Sequence, residues 1–76
     1  MPAHLDRERI RTDVADVLGV APARLGADDL LADHGLDSIR VLSLVERWQR
    51  AGVEVSFVDL VEAGTLADWW RLLSAA

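Results

Sequence analysis

The stretch Gly35-Leu36-Asp37-Ser38-Ile39-Arg40-Val41-Leu42-Ser43-Leu44-Val45-Glu46-Arg47-Trp48-Gln49-Arg50-Ala51-Gly52 decides the fold. Val41, Leu44, Val45 and Trp48 recur at i, i+3, i+4 and i+7, the spacing of one buried face of an α-helix. The helix is expected to start at Asp37 or Ser38, whose short polar side chains suit a cap, and to run to about Arg50, with Gly52 stopping it. Ile39 and Leu42, also three apart, lie on a different flank. A helix in a small domain cannot bury every side, so this second flank is expected to face solvent.

On the N-terminal side, residues 20–37 contain Pro22, Gly26 and Gly35 with several aspartates, which break any sustained period. Val20, Leu25, Leu30, Leu31 and Leu36 are too many apolar residues for a solvated linker. This long loop is therefore expected to pack across the helices, with a short turn at Asp28 to Leu31. Before it, Ile10, Val14, Val17 and Leu18 form a first helical face, with Arg7, Arg11 and Asp13 off that face. Asp6 can cap this helix and Gly19 can adopt the left-handed turn that closes it.

On the C-terminal side, Val53-Glu54-Val55 is the only candidate strand, and without a partner it reads as a connection. Ser56 with Asp59, and Thr65 with Asp68, have the spacing of capping boxes, in which the hydroxyl caps the helix and the acid reaches back. They open a short third helix, Phe57 to about Glu62, ended by Ala63 and Gly64, and a fourth with the stripe Leu66, Trp69, Trp70 and Leu73. The fold class is all-α: a four-helix bundle with a long first loop and a short third helix, one domain spanning residues 1–76.

Seventy-six residues supply one core, which leaves no room for a two-substrate cleft. With 13 acidic against 8 basic residues the net charge is −5, which repels a phosphate backbone; nucleic acid is not an expected partner, and basic protein surfaces are. The absence of cysteine excludes disulfides and cysteine-rich zinc sites and suits a reducing cytoplasm. Asp6, Arg7, Glu8 and Arg9 interrupt the region where an export signal would be apolar, and no apolar run approaches the roughly 20 residues of a membrane span. A soluble, monomeric, cytoplasmic domain is expected.

The candidate chemistry lies at Ser38. Gly35 frees the backbone to turn, and the turn presents the Ser38 hydroxyl at the start of a helix, where backbone amides favour a phosphate. The competing reading is that Asp37 or Ser38 only caps the helix, as aspartate and serine do generally. A self-activating serine would need a base and a third group to orient it. His34 is the one candidate base, and a solvated or packing histidine is the favoured reading; His4, near the terminus, is expected to be disordered. No catalytic residue and no metal ligand set are assigned.

Leu36, Asp37 and Ser38 match the attachment motif of phosphopantetheine-binding carrier proteins, and the resemblance covers essentially the whole chain. It implies a bundle of the acyl carrier protein type. Within that superfamily the chain looks most like the aryl carrier domains of siderophore-type nonribosomal synthetases, through Asp37-Ser38-Ile39-Arg40, Arg47-Trp48 and Trp69-Trp70-Arg71-Leu72-Leu73. Fatty-acid carriers resemble it less, because Arg40, Arg47 and Arg50 interrupt the acidity of the second helix. Many peptidyl carriers have histidine where this chain has Asp37.

The resemblance implies that Ser38, beside Asp37, receives 4'-phosphopantetheine from coenzyme A through a phosphopantetheinyl transferase. An adenylating enzyme would then load the thiol with an aryl acid such as salicylate or dihydroxybenzoate, as a thioester, and a condensation domain would take it. The chain would be a tethered substrate and not an enzyme. Asp33, Ile39, Arg40, Leu42, Phe57, Val58 and Val61 are the expected partner-binding residues; for Phe57, burial in the core is an even alternative. Trp48 and Trp69 are read as core rather than as a platform for an aromatic cargo, with Trp70 partly exposed. Two rivals stay open: a peptidyl or acyl carrier with another cargo, and an unmodified module that binds a partner helix through Ile39 and Leu42.

Overall fold

Among the described residues, four α-helices form where the periodic segments lie: α1 Arg7–Leu18, α2 Ser38–Arg50, α3 Phe57–Glu62 and α4 Leu66–Ser74. The computed structural model describes residues 5–74, and the expectation for His4 lies outside the described residues. Each helix starts at a side-chain cap. The amide of Arg9 donates to Asp6 at 2.7 Å, that of Arg40 to Asp37 at 2.9 Å, that of Asp59 to Ser56 at 3.4 Å and that of Asp68 to Thr65 at 3.2 Å. The two capping boxes are only half formed. Among the described residues no bond returns from the Asp59 carboxylate, and the Asp68 carboxylate is taken by the Arg71 guanidinium at 2.7 Å, one turn further on.

Helix α1 packs against α2 and α4, and α2 packs against α3. The core is built from Ile10 and Val14 of α1, the expected stripe Val41, Leu44, Val45 and Trp48 of α2, Leu60 of α3, and Leu66, Trp69 and Leu73 of α4. Trp48 and Trp69 meet edge to face, with ring centroids 6.1 Å apart and planes at 83°. Each indole removes roughly 150–250 Å² from water, at about 25 cal/mol per Å², so this pair is the largest apolar contribution in the bundle. Trp70 is half-buried, with the guanidinium groups of Arg7 and Arg11 at 5.2 and 5.4 Å from its ring centre. No helix among the described residues is long and apolar enough to cross a membrane.

Two expectations are corrected. Asp13, read as off the buried face of α1, is buried, because its carboxylate accepts the indole N–H of Trp48 at 2.7 Å. The short turn expected at Asp28 to Leu31 lies two residues earlier, at Gly26 to Asp29, where the Asp29 amide donates to Gly26 O at 3.2 Å, and 3₁₀ turns flank it at Pro22–Arg24 and Leu31–His34. Leu25 and Leu31 pack into the core as expected, but Leu30 remains 55% exposed. The reason is local: Leu30 is extended ahead of the second turn while its backbone bridges to Thr65. Main-chain bonds from Leu31 N to Gly64 O at 2.9 Å and from Ala67 N to Ala27 O at 3.0 Å stitch the loop to the α3–α4 connection and to the first turn of α4.

Candidate functional site

The chain reaches Ser38 through a tight sequence of turns. Gly35 closes the second 3₁₀ turn at φ 98, a left-handed conformation that a side chain resists, and its N–H donates to Ala32 O at 3.1 Å. Leu36 is then half-buried, with its N–H on Leu31 O at 3.1 Å. Asp37 is extended and caps α2, so Ser38 is the first helical residue and is exposed.

Asp37 is engaged on both carboxylate oxygens: the Arg40 amide donates to one and the Arg40 guanidinium to the other, each at 2.9 Å. The amide contact is the main reason its carboxyl sits below the ordinary value of 3.8; desolvation opposes it, and the Arg40 charge assists to a lesser degree. Upstream, Asp29 is held low by the Gly26 amide and by His34, whose Nε2 lies 3.2 Å away. His34 is thus paired with Asp29 within its own loop.

Ser38 opens beside a largely apolar cavity of about 210 Å³. The loop provides Leu30, Leu31 and Leu36, α2 provides Val41, and the end of α3 provides Leu60 and Val61. Of the expected partner residues, only Val61 shares this cavity with Asp37 and Ser38. Ile39 and Arg40 line a separate surface groove between α1 and α2, with Asp16, Val17 and Arg47. Leu42 and Val58 are exposed and border neither, and Asp33 is an exposed residue of the 3₁₀ turn. Phe57 is half-buried and packs against the core, as its alternative reading had it. Leu30 was missed, since nothing in two adjacent leucines says which one is left out.

The chain is a short helical bundle that exposes a hydroxyl at the start of its second helix, beside an apolar cavity. The family model for the phosphopantetheine attachment site matches residues 8–73, and the chain belongs to that family. It is a carrier protein whose cofactor is covalent 4'-phosphopantetheine. Over 75 residues it is 40% identical to the acyl carrier protein ScoB of Streptomyces coeruleorubidus, covering 99% of this chain and 88% of the relative. Over 68 residues it is 46% identical to the phenyloxazoline synthase MbtB of Mycobacterium tuberculosis, covering 90% of this chain and 5% of that protein. Over 47 residues it is 45% identical to enterobactin synthase component B of Escherichia coli, covering 62% of this chain and 16% of that protein. No solved structure matches.

Proposed function

We propose that residues 1–76 form a single carrier domain in which Ser38 is the attachment residue and the cargo is an aryl acid. The observation that carries the first part is the exposure of Ser38 as the opening residue of α2, within the matched residues 8–73. The fit is physical. An exposed oxygen at a helix start leaves a phosphodiester solvated and beside favourable amide dipoles, with open space for a long arm to leave. In the attachment step the Ser38 oxygen forms a new bond to the phosphorus that bears pantetheine in coenzyme A. The pyrophosphate link breaks, adenosine 3',5'-bisphosphate departs, and the hydroxyl proton passes to a base on the phosphopantetheinyl transferase.

Once attached, the group supplies a thiol that carries the acid as a thioester. The chain's own contribution is presentation: Asp37 and Arg40 fix the first turn of α2, and the bundle keeps the attachment point in solvent. A tether holds the cargo at an effective concentration on the order of millimolar near each partner. Those partners are the transferase, an aryl-acid adenylating enzyme and a condensation domain, met in the cytoplasm by a monomeric carrier. The aryl cargo is supported by the 46% identity to a segment of a protein named for a phenyl-bearing product. A second reading, a peptidyl or acyl carrier with a different cargo, is favoured by the match along 88% of the length of an acyl carrier protein.

Intact mass after incubation with coenzyme A and a broad-specificity transferase tests the attachment. One phosphopantetheine is expected on the wild type and none on Ser38→Ala; an unmodified wild type, or a modified Ser38→Ala, overturns it. Loading the modified carrier with adenylating enzymes for aryl, fatty and amino acids tests the cargo. Preference for anything but the aryl acids overturns that half.

A further inference from the structure

The end of α3 is held by a contact that the attachment site does not use directly. Trp69 of α4 is fully buried, and its indole N–H is shared between two carbonyls of the α3 end, Leu60 O at 3.2 Å and Ala63 O at 2.8 Å. Helix α3 has six residues, too few for stability on its own. Its hold on the core is Leu60 with half-buried Phe57, while Val58 and Val61 face solvent. The next residue, Gly64, accepts the Leu31 amide, and Leu31 accepts the Leu36 amide two residues before Ser38. The same end of α3 and the same loop form facing walls of the cavity beside Ser38.

We infer that Trp69 is a positioning residue for phosphopantetheine attachment: its N–H fixes the C-terminal end of α3. It thereby holds Val61 and the Leu30–Leu31 segment in the arrangement that a transferase meets around Ser38. The inference rests on Ser38 being the attachment residue. The ring of Trp69 is ordinary core, and only its N–H is separable from packing. A helix of one and a half turns held by so few contacts opens locally far more readily than the bundle unfolds. A partner that reads the closed arrangement has its apparent affinity lowered in proportion to the fraction lost. The Ser38 hydroxyl is untouched by this contact, so KM rises while kcat is retained.

The test compares Trp69→Phe, and 3-benzothienylalanine inserted at position 69, with wild type. The second replacement keeps the bicyclic shape, carries sulfur in place of the N–H, and covers the case in which the phenylalanine variant does not fold. Val14→Ala supplies a loss of core in α1, away from α3. Steady-state attachment with coenzyme A and a transferase is measured for each protein, together with hydrogen exchange over residues 57–64. Loss of one buried donor shifts the opening equilibrium of that segment about tenfold; with the closed arrangement about three-quarters populated in wild type, exchange there and KM each rise about threefold, with kcat within about twofold. Val14→Ala is expected to leave KM unchanged. An unchanged KM in the folded benzothienyl protein, or an equal rise in Val14→Ala, overturns the inference alone. A wild type that is never modified overturns the Ser38 reading and this inference with it.

Discussion

The indole N–H of Trp48 on α2 donates to the buried carboxylate of Asp13 on α1 at 2.7 Å. The same carboxylate takes Arg9 Nε at 2.9 Å and faces Arg47 at 3.5 Å, and Arg47 also reaches Asp16 at 3.0 Å. A carboxylate on a side chain only 10% exposed is costly unless its charge is matched and its lone pairs are filled, and donors from both helices do this. The contact answers two needs at once. A fully buried tryptophan needs an acceptor outside its own helix, and Asp13 is the residue that meets it.

Asp13→Ala leaves the Trp48 donor buried without an acceptor and strips two arginines of a partner. A loss of about 3 kcal/mol is expected. Asp13→Asn keeps one oxygen for the indole but loses the charge and turns an amide NH2 toward an arginine, so its cost should be smaller than alanine's, about 2 kcal/mol. Urea titrations followed by tryptophan fluorescence rank the three proteins. An asparagine variant as weak as the alanine variant would show that charge, and not the indole bond, dominates.

The bundle itself was legible because its signals are local. The stripe from Val41 to Trp48, the caps at Asp6, Asp37, Ser56 and Thr65, and Gly19 after α1 each act within one or two turns, and all form, the last two caps without the returning carboxylate. Exposed Ile39 and Leu42 were legible for the same reason, since helical period alone separates them from the core stripe. Asp13 was not, although it lies three residues after Ile10 and four before Val17. Charge argued against burial, and its partner is 35 residues away. Leu30 and the backbone stitch between Leu31 and Gly64 are equally nonlocal, and main-chain pairing of a loop leaves no trace in side-chain pattern.

Acid should weaken the start of α2 in a defined direction. The folded state holds the Asp37 carboxyl below its ordinary 3.8, chiefly through the Arg40 amide, so folding favours the ionised form. Its stabilisation is complete above pH 3.8 and is lost as pH falls from there through the lower folded value. Asp37→Asn keeps a capping oxygen and removes the titration. The difference in thermal midpoint between wild type and Asp37→Asn should be constant at higher pH and shrink on acidification below 3.8. A difference that widens in acid contradicts the assignment.

Exposure separates docking residues from folding residues. Ile39 and Leu42 are 78% and 47% exposed, so alanine at either should change stability by less than about 0.5 kcal/mol. If they belong to the surface that partners read, attachment by the transferase should slow about tenfold when both are replaced. Phe57→Ala should behave oppositely, costing about 2 kcal/mol in unfolding because the ring packs against the core. Paired unfolding and kinetic measurements on the four variants check the division, and a strongly destabilised Ile39→Ala would mean that α2 buries more than one face.

Gly35 sets the turn that delivers Ser38, and the reason is conformational rather than steric. Its φ is 98, yet a Cβ built there meets no atom within 4 Å. If space alone mattered, any small residue would serve. Alanine must instead hold a left-handed backbone, so Gly35→Ala should cost about 1–2 kcal/mol, asparagine less, and β-branched valine more. Attachment at Ser38 should follow the same order, because relaxing this turn moves the Asp37 cap and with it the first turn of α2. Thermal unfolding and intact-mass time courses for the three variants provide the check. A Gly35→Ala protein as stable as wild type would mean that the loop finds another path to the helix, and Ser38 would then be modified at the wild-type rate.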